Sequence, residues 1–394
     1  MNVLIYTMST PKPNGGGVSR MTYSISEGLK SRGNNVCYLC FEKLDTDTPL
    51  QGVFYFPELK NPKSSKNKGY LASFFKEHDI GFVINQIPLN EEFSDMLYEL
   101  KPQGVRIASV IHNSSLNLVR QFAYSKEFGL RQSGRSWVFH ILKSWPIKQI
   151  IIAAYIRKHR QHYLKMDRGS DYIIAVSNRN IDDIHKLIGY NSPKVISINN
   201  FINTNNEPIP SKEKLVIWCG RLETNNKRVD MMIDIWARVC KQHPDWRLAI
   251  MGLDEVKGMP EYAKSVGAEN IDFTGLVKTE DYYKRASIIC HTSLSESFGL
   301  VLVEAMNWGC VPMAFDSFPA CQDLIPSDCG YRIKAFDKDE YAKVLSDLMN
   351  NQKELEMRAP KCKEYSSQFN EDNSIKEWIR IIEESSVTKN SSLK

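Results

Sequence analysis

The chain lacks any apolar run of the roughly 18 residues a membrane-spanning helix needs, so it does not read as an integral membrane protein. It also lacks a cysteine framework: nine cysteines are scattered over positions 37, 40, 219, 240, 290, 310, 321, 329 and 362. Most lie in apolar stretches, which suits buried, reduced thiols in a reducing compartment. Cys37 and Cys40 form one C-x-x-C pair, but it sits in an apparent strand and no second pair completes a zinc site. Charge of one sign is not in large excess. The 51 Lys and Arg face 46 Asp and Glu, a formal net charge of +5, which by itself implies no nucleic-acid partner. The first residues, Met1-Asn-Val-Leu-Ile-Tyr6, read as a strand rather than a signal peptide, and the expectation is a cytoplasmic location. The spaced G-x-G-x-x-G fingerprint is missing as well; the first strand is followed instead by three consecutive glycines, Gly15, Gly16 and Gly17.

What is present is a repeated alternation of short apolar strands and helical patterns over 394 residues, long enough for two domains. Strand 3–6, the glycine loop, a helix over 18–31 and strand 36–41 form a strand–loop–helix–strand unit. Such units imply parallel strands and an α/β, doubly wound sheet. Glycines at the helix start let a ligand approach the backbone, although glycine runs also occur in plain flexible loops. Strand 105–112 ends in His112-Asn113, at a carboxyl end, where open α/β sheets collect ligands; a lone histidine there also fits a structural role. Residues 204–214 are polar and proline-bearing and read as an interdomain linker. The pattern restarts at Leu215-Val-Ile-Trp-Cys219 and continues through Gly220-Arg221-Leu222 and a loop ending in Lys227-Arg228. The expected division is 1–203, a linker over 204–213, a second domain over 214–370, and a C-terminal helix and tail over 371–394 that returns to the first domain.

The most informative stretch runs from His291 to Gly309. A strand end leads into a loop over 295–299 and then a helix over 300–308 that Gly309 stops. A helix start presents backbone N–H groups and a positive dipole end, which attract phosphate. Glu296 lies just before the helix and Glu304 about one turn inside it. Glu304 falls in an apolar run, Leu300-Val-Leu-Val and Ala305-Met306, and a carboxylate there needs partners. One carboxylate can hold a hydroxylated group before a phosphate and the other a hydroxylated group beyond it, the layout of a nucleotide-sugar. Arg221 and Lys227 sit at the carboxyl side of the neighbouring strand, and two cations there fit a diphosphate better than a monophosphate. An exposed basic turn is the plainer alternative.

Residues 120–168 differ from the rest. Eleven Lys and Arg accumulate against Glu127 and Asp167, interleaved with Trp137, Phe139, Trp145, Ile150-Ile-Ile152 and Tyr155. They read as basic amphipathic helices, which either lie on an anionic membrane surface or form a helical insertion packed on its own domain. No nucleic-acid-binding motif accompanies them.

Taken together these residues resemble the GT-B retaining glycosyltransferases of glycosyltransferase family 4, of the bacterial surface-polysaccharide type. Glu296-Ser-Phe-Gly-Leu-Val-Leu-Val-Glu304 resembles the family's E-x7-E signature, and Gly220-Arg-Leu with Lys227 resembles its phosphate-binding Arg/Lys pair. The glycine loop, the strand end at His112 and the strand ends at Ser177 and Asn200 also match. The resemblance implies two Rossmann-like domains facing across a cleft, an acceptor-binding one first and a nucleotide-sugar-binding one second. It implies that Arg221 and Lys227 neutralise the departing diphosphate, that Glu304 accepts from the ribose hydroxyls, and that Glu296 with Ser297, Phe298, Gly299 and Leu300 holds donor sugar and phosphate. Gly16 and Gly17 would close over the diphosphate, His112 would sit by the sugar, and Leu276-Val277 would abut the base. The gap from Arg221 to Lys227 is one residue longer than usual, which leaves open whether Lys227 or Arg228 meets the phosphate. No cofactor or metal is implied; Asp45-Thr-Asp47 has a D-x-D form but reads as incidental. The expected function is hexose transfer from a nucleotide-diphosphate sugar, UDP-sugar before GDP-mannose, to a glycan or lipid-linked acceptor in capsule, exopolysaccharide or lipopolysaccharide synthesis. Peripheral membrane contact fits, and nucleic acid does not. A nucleotide-sugar epimerase and a non-catalytic nucleotide-sugar-binding protein are the alternatives.

Overall fold

The structure is a computed structural model that describes residues 1–43, 50–59, 61–253 and 258–391. The Asp45-Thr-Asp47 segment lies outside the described residues. The chain divides into two compact units. One comprises Met1–Asn113, Ile156–Phe201 and Glu371–Lys394; the other comprises Ser114–Tyr155 and Ile202–Asn370.

In the first unit, β1 (Asn2–Ser9), α1 (Gly17–Lys30), β2 (Asn35–Glu42), β3 (Val53–Tyr55), α2 (Ser65–Glu77), β4 (Phe82–Asn85), α3 (Glu91–Glu99) and β5 (Arg106–Ile111) follow in order. Four helices come next in the chain, the first three of them in the second unit: α4 (Ser115–Arg120), α5 (Phe122–Gln132), α6 (Ser136–Lys143) and α7 (Trp145–Gly169). Then β6 (Tyr172–Ala175), α8 (Ile181–Ile188) and β7 (Val195–Ser197) complete a parallel sheet of order β3-β2-β1-β4-β5-β6-β7. Strands such as Val3-Leu-Ile-Tyr6 are apolar on both faces because helices cover both, and they are fully buried. The order reverses between β1 and β4, so their carboxyl ends frame the crevice of this sheet. Cys37 and Cys40 are free thiols three residues apart on β2, an odd spacing that turns them to opposite faces.

The second unit repeats the logic with β8 (Glu213–Cys219), α9 (Val229–Val239), β9 (Arg247–Met251), α10 (Met259–Ser265), β10 (Ile271–Gly275), α11 (Thr279–Arg285), β11 (Ala286–His291), α12 (Leu300–Asn307), β12 (Val311–Phe315), α13 (Cys321–Leu324), β13 (Tyr331–Ile333), α14 (Lys338–Met349) and α15 (Gln352–Ser366). The sheet order is β10-β9-β8-β11-β12-β13, parallel throughout. Its switch point lies between β8 and β11, the two strands that feed the Arg221 loop and the Glu296 loop.

Two findings modify the expected division. Residues 114–155 do not belong with the first sheet. Tyr124 and Phe128 of α5 pack on the core of the second, and Arg131 donates to Asp234 at 2.9 Å. The basic segment is thereby split, with α7 beginning in one unit and ending in the other. The contacts also move the end of the first stretch of unit one from 203 to Phe201, and residues 202–212 group with the second unit, where Lys363 Nζ donates to Asn205 at 2.7 Å. The last helix, α16 (Glu371–Ser391), buries Ile375, Trp378, Ile381 and Ile382 in the first unit. It packs against α1 so closely that a side chain at Gly28 would lie 2.7 Å from Ile375.

Candidate active site

In the second unit, β8 delivers Gly220-Arg221-Leu222 at its carboxyl end. Gly252, at the end of β9, has φ +145°, and a Cβ there would fall 1.8 Å from the Gly220 carbonyl oxygen, so only glycine lets these two strand ends touch. The loop that follows is tied to the one after β11. Leu294 N–H donates to Asn226 O at 2.7 Å and Ser295 N–H to Asn226 Oδ1 at 3.1 Å. The Thr292 hydroxyl accepts from Trp218 Nε1 at 2.9 Å and meets the Arg228 carbonyl at 2.9 Å. From α4, Asn117 Nδ2 donates to Leu294 O at 3.3 Å and to Ser317 O at 2.9 Å. The loops carrying Lys227 and Glu296 are therefore fixed from three sides.

Lys227 Nζ donates to Glu296 Oε1. The buried His291 places Nε2 3.4 Å from the same oxygen. Burial would push the Glu296 carboxyl up, but the Lys227 ammonium, with His291 beside it, outweighs that and holds it well below the usual carboxylate range. The group is thus a carboxylate with a cation on it, half-buried, at the switch point. Arg221 is largely exposed, its NH2 3.3 Å from Glu223 Oε1. Gly299, at φ +108°, caps α12; a Cβ there would press on Leu324 at 3.1 Å. Phe298 is buried, Ser297 and Leu300 half-buried. Glu304, half-buried on α12, accepts from the Tyr283 hydroxyl at 3.2 Å. Leu276, just past β10, is an exposed leucine, with Val277 half-buried next to it.

Arg228 goes a different way. It takes φ +55° and buries its guanidinium, which is 1% exposed. Nε and NH2 donate to the buried Asp230 at 2.9 and 2.8 Å, NH2 also to Glu127 at 3.0 Å, and NH1 to Tyr124 O at 2.8 Å. Through these bonds Arg228 braces α5 against α9, and Lys227 is the cation in the Glu296 group.

In the first unit, His112 follows β5 and its Nε2 shares a hydrogen bond with Gln86 Oε1, from the end of β4. Burial pushes its imidazole down to about 4, so it is neutral near pH 7. Gly16 caps α1 and Gly17 begins it, both exposed. A Cβ at Gly16 would meet nothing within 4 Å, so packing does not require glycine there. Among the described residues no three His, Cys, Asp or Glu side chains cluster to hold a metal ion. Sequence reasoning missed His291, Asn226 and Gln86. The signal for His291 was present, since it ends a strand just as His112 follows one.

Two parallel, doubly wound sheets of this kind are the GT-B architecture. Residues 200–367 match the model of the family described as glycosyl transferases group 1, and residues 15–206 that of glycosyltransferase family 4. The chain belongs to the GT-B glycosyltransferases of the family 4 kind. An uncharacterized glycosyltransferase of Haemophilus influenzae is 28% identical over 177 residues, covering 43% of this chain and 49% of that protein. The amylovoran biosynthesis glycosyltransferase AmsD of Erwinia amylovora is 27% identical over 188 residues, 46% of this chain and 52% of AmsD. The matches thus span about half the length of these curated relatives. The pneumococcal O-GlcNAc transferase GtfA, solved with UDP and GlcNAc, superposes with a TM-score of 0.73 at 12% identity, over 97% of this chain and 99% of that one.

Proposed function

We propose that the protein is a retaining hexosyltransferase that moves a sugar from a nucleotide-diphosphate donor, UDP-linked before GDP-linked, to a glycan or lipid-linked acceptor of a cell-surface polysaccharide. The observation that carries this reading is the Lys227–Glu296–His291 group at the β8/β11 switch point, with Glu304 about one turn along the following helix. Glycosyl transfer develops charge on the departing diphosphate, and a preorganised cation at that place is worth several kcal/mol. Lys227 and Arg221 supply it, and no metal is needed for that step. Glu304 and the Tyr283 hydroxyl beside it meet the ribose; Glu296 and the backbone of residues 297–300 meet the sugar and phosphate. The apolar Leu276-Val277 edge lies against the base. On the family resemblance alone, Gly16 and Gly17 of the first unit are assigned to the diphosphate and His112 to the sugar.

The part of AmsD in amylovoran biosynthesis and the UDP bound by GtfA support the acceptor class and the base. A membrane-linked acceptor places the enzyme at the inner face of the cell membrane. The test is to incubate the purified chain with UDP- and GDP-sugars and a lipid-linked acceptor, and to assign the anomer of the product by NMR. A product that keeps the donor's anomeric configuration supports the reading. An inverted product, or a free epimerised sugar without acceptor, overturns it.

A further inference from the structure

From Phe128 to Met166 the chain contains no Asp or Glu and eight Lys or Arg. The second half of this stretch is also unusual in its burial: no residue of α6 and none of α7 before His162 is buried. Trp137 is 65% exposed, Ile141 49%, Trp145 73% and Ile150 62%.

The exposure is sided. On α6, Phe139 turns inward onto Tyr124, ring centroids 5.3 Å apart, and Tyr124 in turn packs on Phe336. Trp137 and Ile141, four residues apart, share the opposite face. A surface helix normally turns polar residues to water and apolar ones to the core; α6 has apolar residues on both sides. Lys143, four residues from Phe139, lies over the Tyr124 and Phe139 rings at 5.3 and 5.7 Å, on the inward side; Lys148, three residues from Trp145 on α7, is the cation that shares a face with an exposed tryptophan. Tryptophan, whose ring has one apolar side and one polar N–H, is the side chain most suited to the headgroup level of a bilayer.

We propose that α6 and the first turns of α7 form a docking surface for an anionic lipid bilayer, with Trp137, Ile141, Trp145 and Ile150 entering the headgroup region and the flanking Lys and Arg meeting lipid phosphates. Three arguments select this occupant. No described helix is long and apolar enough to cross a membrane, so contact is interfacial. A second copy of the chain would bring two acid-free, cationic faces together, and like charges oppose that. Nucleic acid would use the cations but leave two tryptophans and two isoleucines in water, without need of the apolar face. The proposal deepens the reading of a membrane-linked acceptor and rests on it only for its purpose; its test uses no substrate.

The test is co-sedimentation of the full chain with vesicles of phosphatidylcholine alone, or of equal parts phosphatidylcholine and phosphatidylglycerol, in low and high salt. Duplex DNA is titrated and the oligomeric state measured in parallel. The expected result is binding to the phosphatidylglycerol vesicles that high salt weakens. Lys148→Gln should weaken it by roughly fivefold, and Trp137→Ala with Trp145→Ala by at least that much, with thermal melting unchanged because none of these three side chains is buried. Equal vesicle binding by the wild type, Lys148→Gln and the double tryptophan variant overturns the proposal. So does absence of vesicle binding, whether accompanied by DNA binding or by a dimer that the tryptophan variants dissociate. Loss of transfer on a membrane-free acceptor would instead count against the proposed function and leave this inference standing.

Discussion

Lys227 and Arg228 are neighbours with the same charge, and the structure uses them in opposite ways. Arg228 bends the chain into the left-handed region, a conformation that disfavours side-chain-bearing residues, and its guanidinium is consumed by Asp230, Glu127 and a backbone carbonyl. Lys227 is half-buried and donates to Glu296 Oε1, the same oxygen that lies 3.4 Å from His291 Nε2. Arginine's fixed fork suits several simultaneous buried acceptors; lysine's flexible point charge can move from a carboxylate to a ligand phosphate. Arg228 braces the fold and Lys227 is the cation we propose for the diphosphate, and nothing in residue type or spacing tells them apart.

The largest effect that could break this comparison is on stability. Arg228→Ala leaves Asp230 buried without its counter-ion, and loss of one partner from such a pair is expected to destabilise by about 3–5 kcal/mol, read as a lower urea midpoint. An unchanged midpoint would remove the bracing role. Lys227→Ala should do the converse. Transfer falls by about 10² to 10³, while the urea midpoint moves much less than in the arginine variant. A smaller effect sharpens the Glu296 group. His291→Leu removes one of the two groups that hold the carboxylate low, so the acidic limb of the transfer pH profile should move to higher pH; His291→Gln, which keeps a polar neighbour, should move it less. A limb that stays in place in both variants would detach His291 from Glu296.

The smallest effect separates the two units by pH. A histidine kept neutral by burial, at about 4 in the fold, takes up a proton near 6.5 when unfolded. The unfolded chain then binds more protons between those values, so His112 lowers stability as pH falls from about 6.5 toward 4. Glu296, held low in the fold, stabilises above the unfolded carboxylate value of about 4.3 and loses that contribution only as pH falls below it. Unfolding midpoints of His112→Gln should therefore depend less on pH than the wild type in the upper window, and match it in shape below.

The α/β alternation and parallel strands were legible because β1, β2, β8 and β11 are short apolar runs followed by helical periods. The Glu296–Glu304 stretch was legible because a strand end, a glycine and a helix start fall in one segment. Three things were not. The split of the basic segment at Tyr155 and Ile156 depends on which sheet Tyr124 and Phe128 reach, and that is long-range packing. The fate of Arg228 depends on Glu127, about a hundred residues away. The pairing of His291 with Glu296 depends on a loop that folds back across five residues, which residue spacing alone does not show.

Calorimetric titration of UDP into the wild type, Lys227→Ala and Glu304→Ala tests the Lys227–Glu296–Glu304 group most directly. Losing a charged hydrogen-bond partner should weaken binding by roughly tenfold or more in each variant, with Arg228→Lys, if it folds, close to the wild type. Unchanged UDP affinity in both Lys227→Ala and Glu304→Ala, or no UDP binding by the wild type, would contradict the assignment.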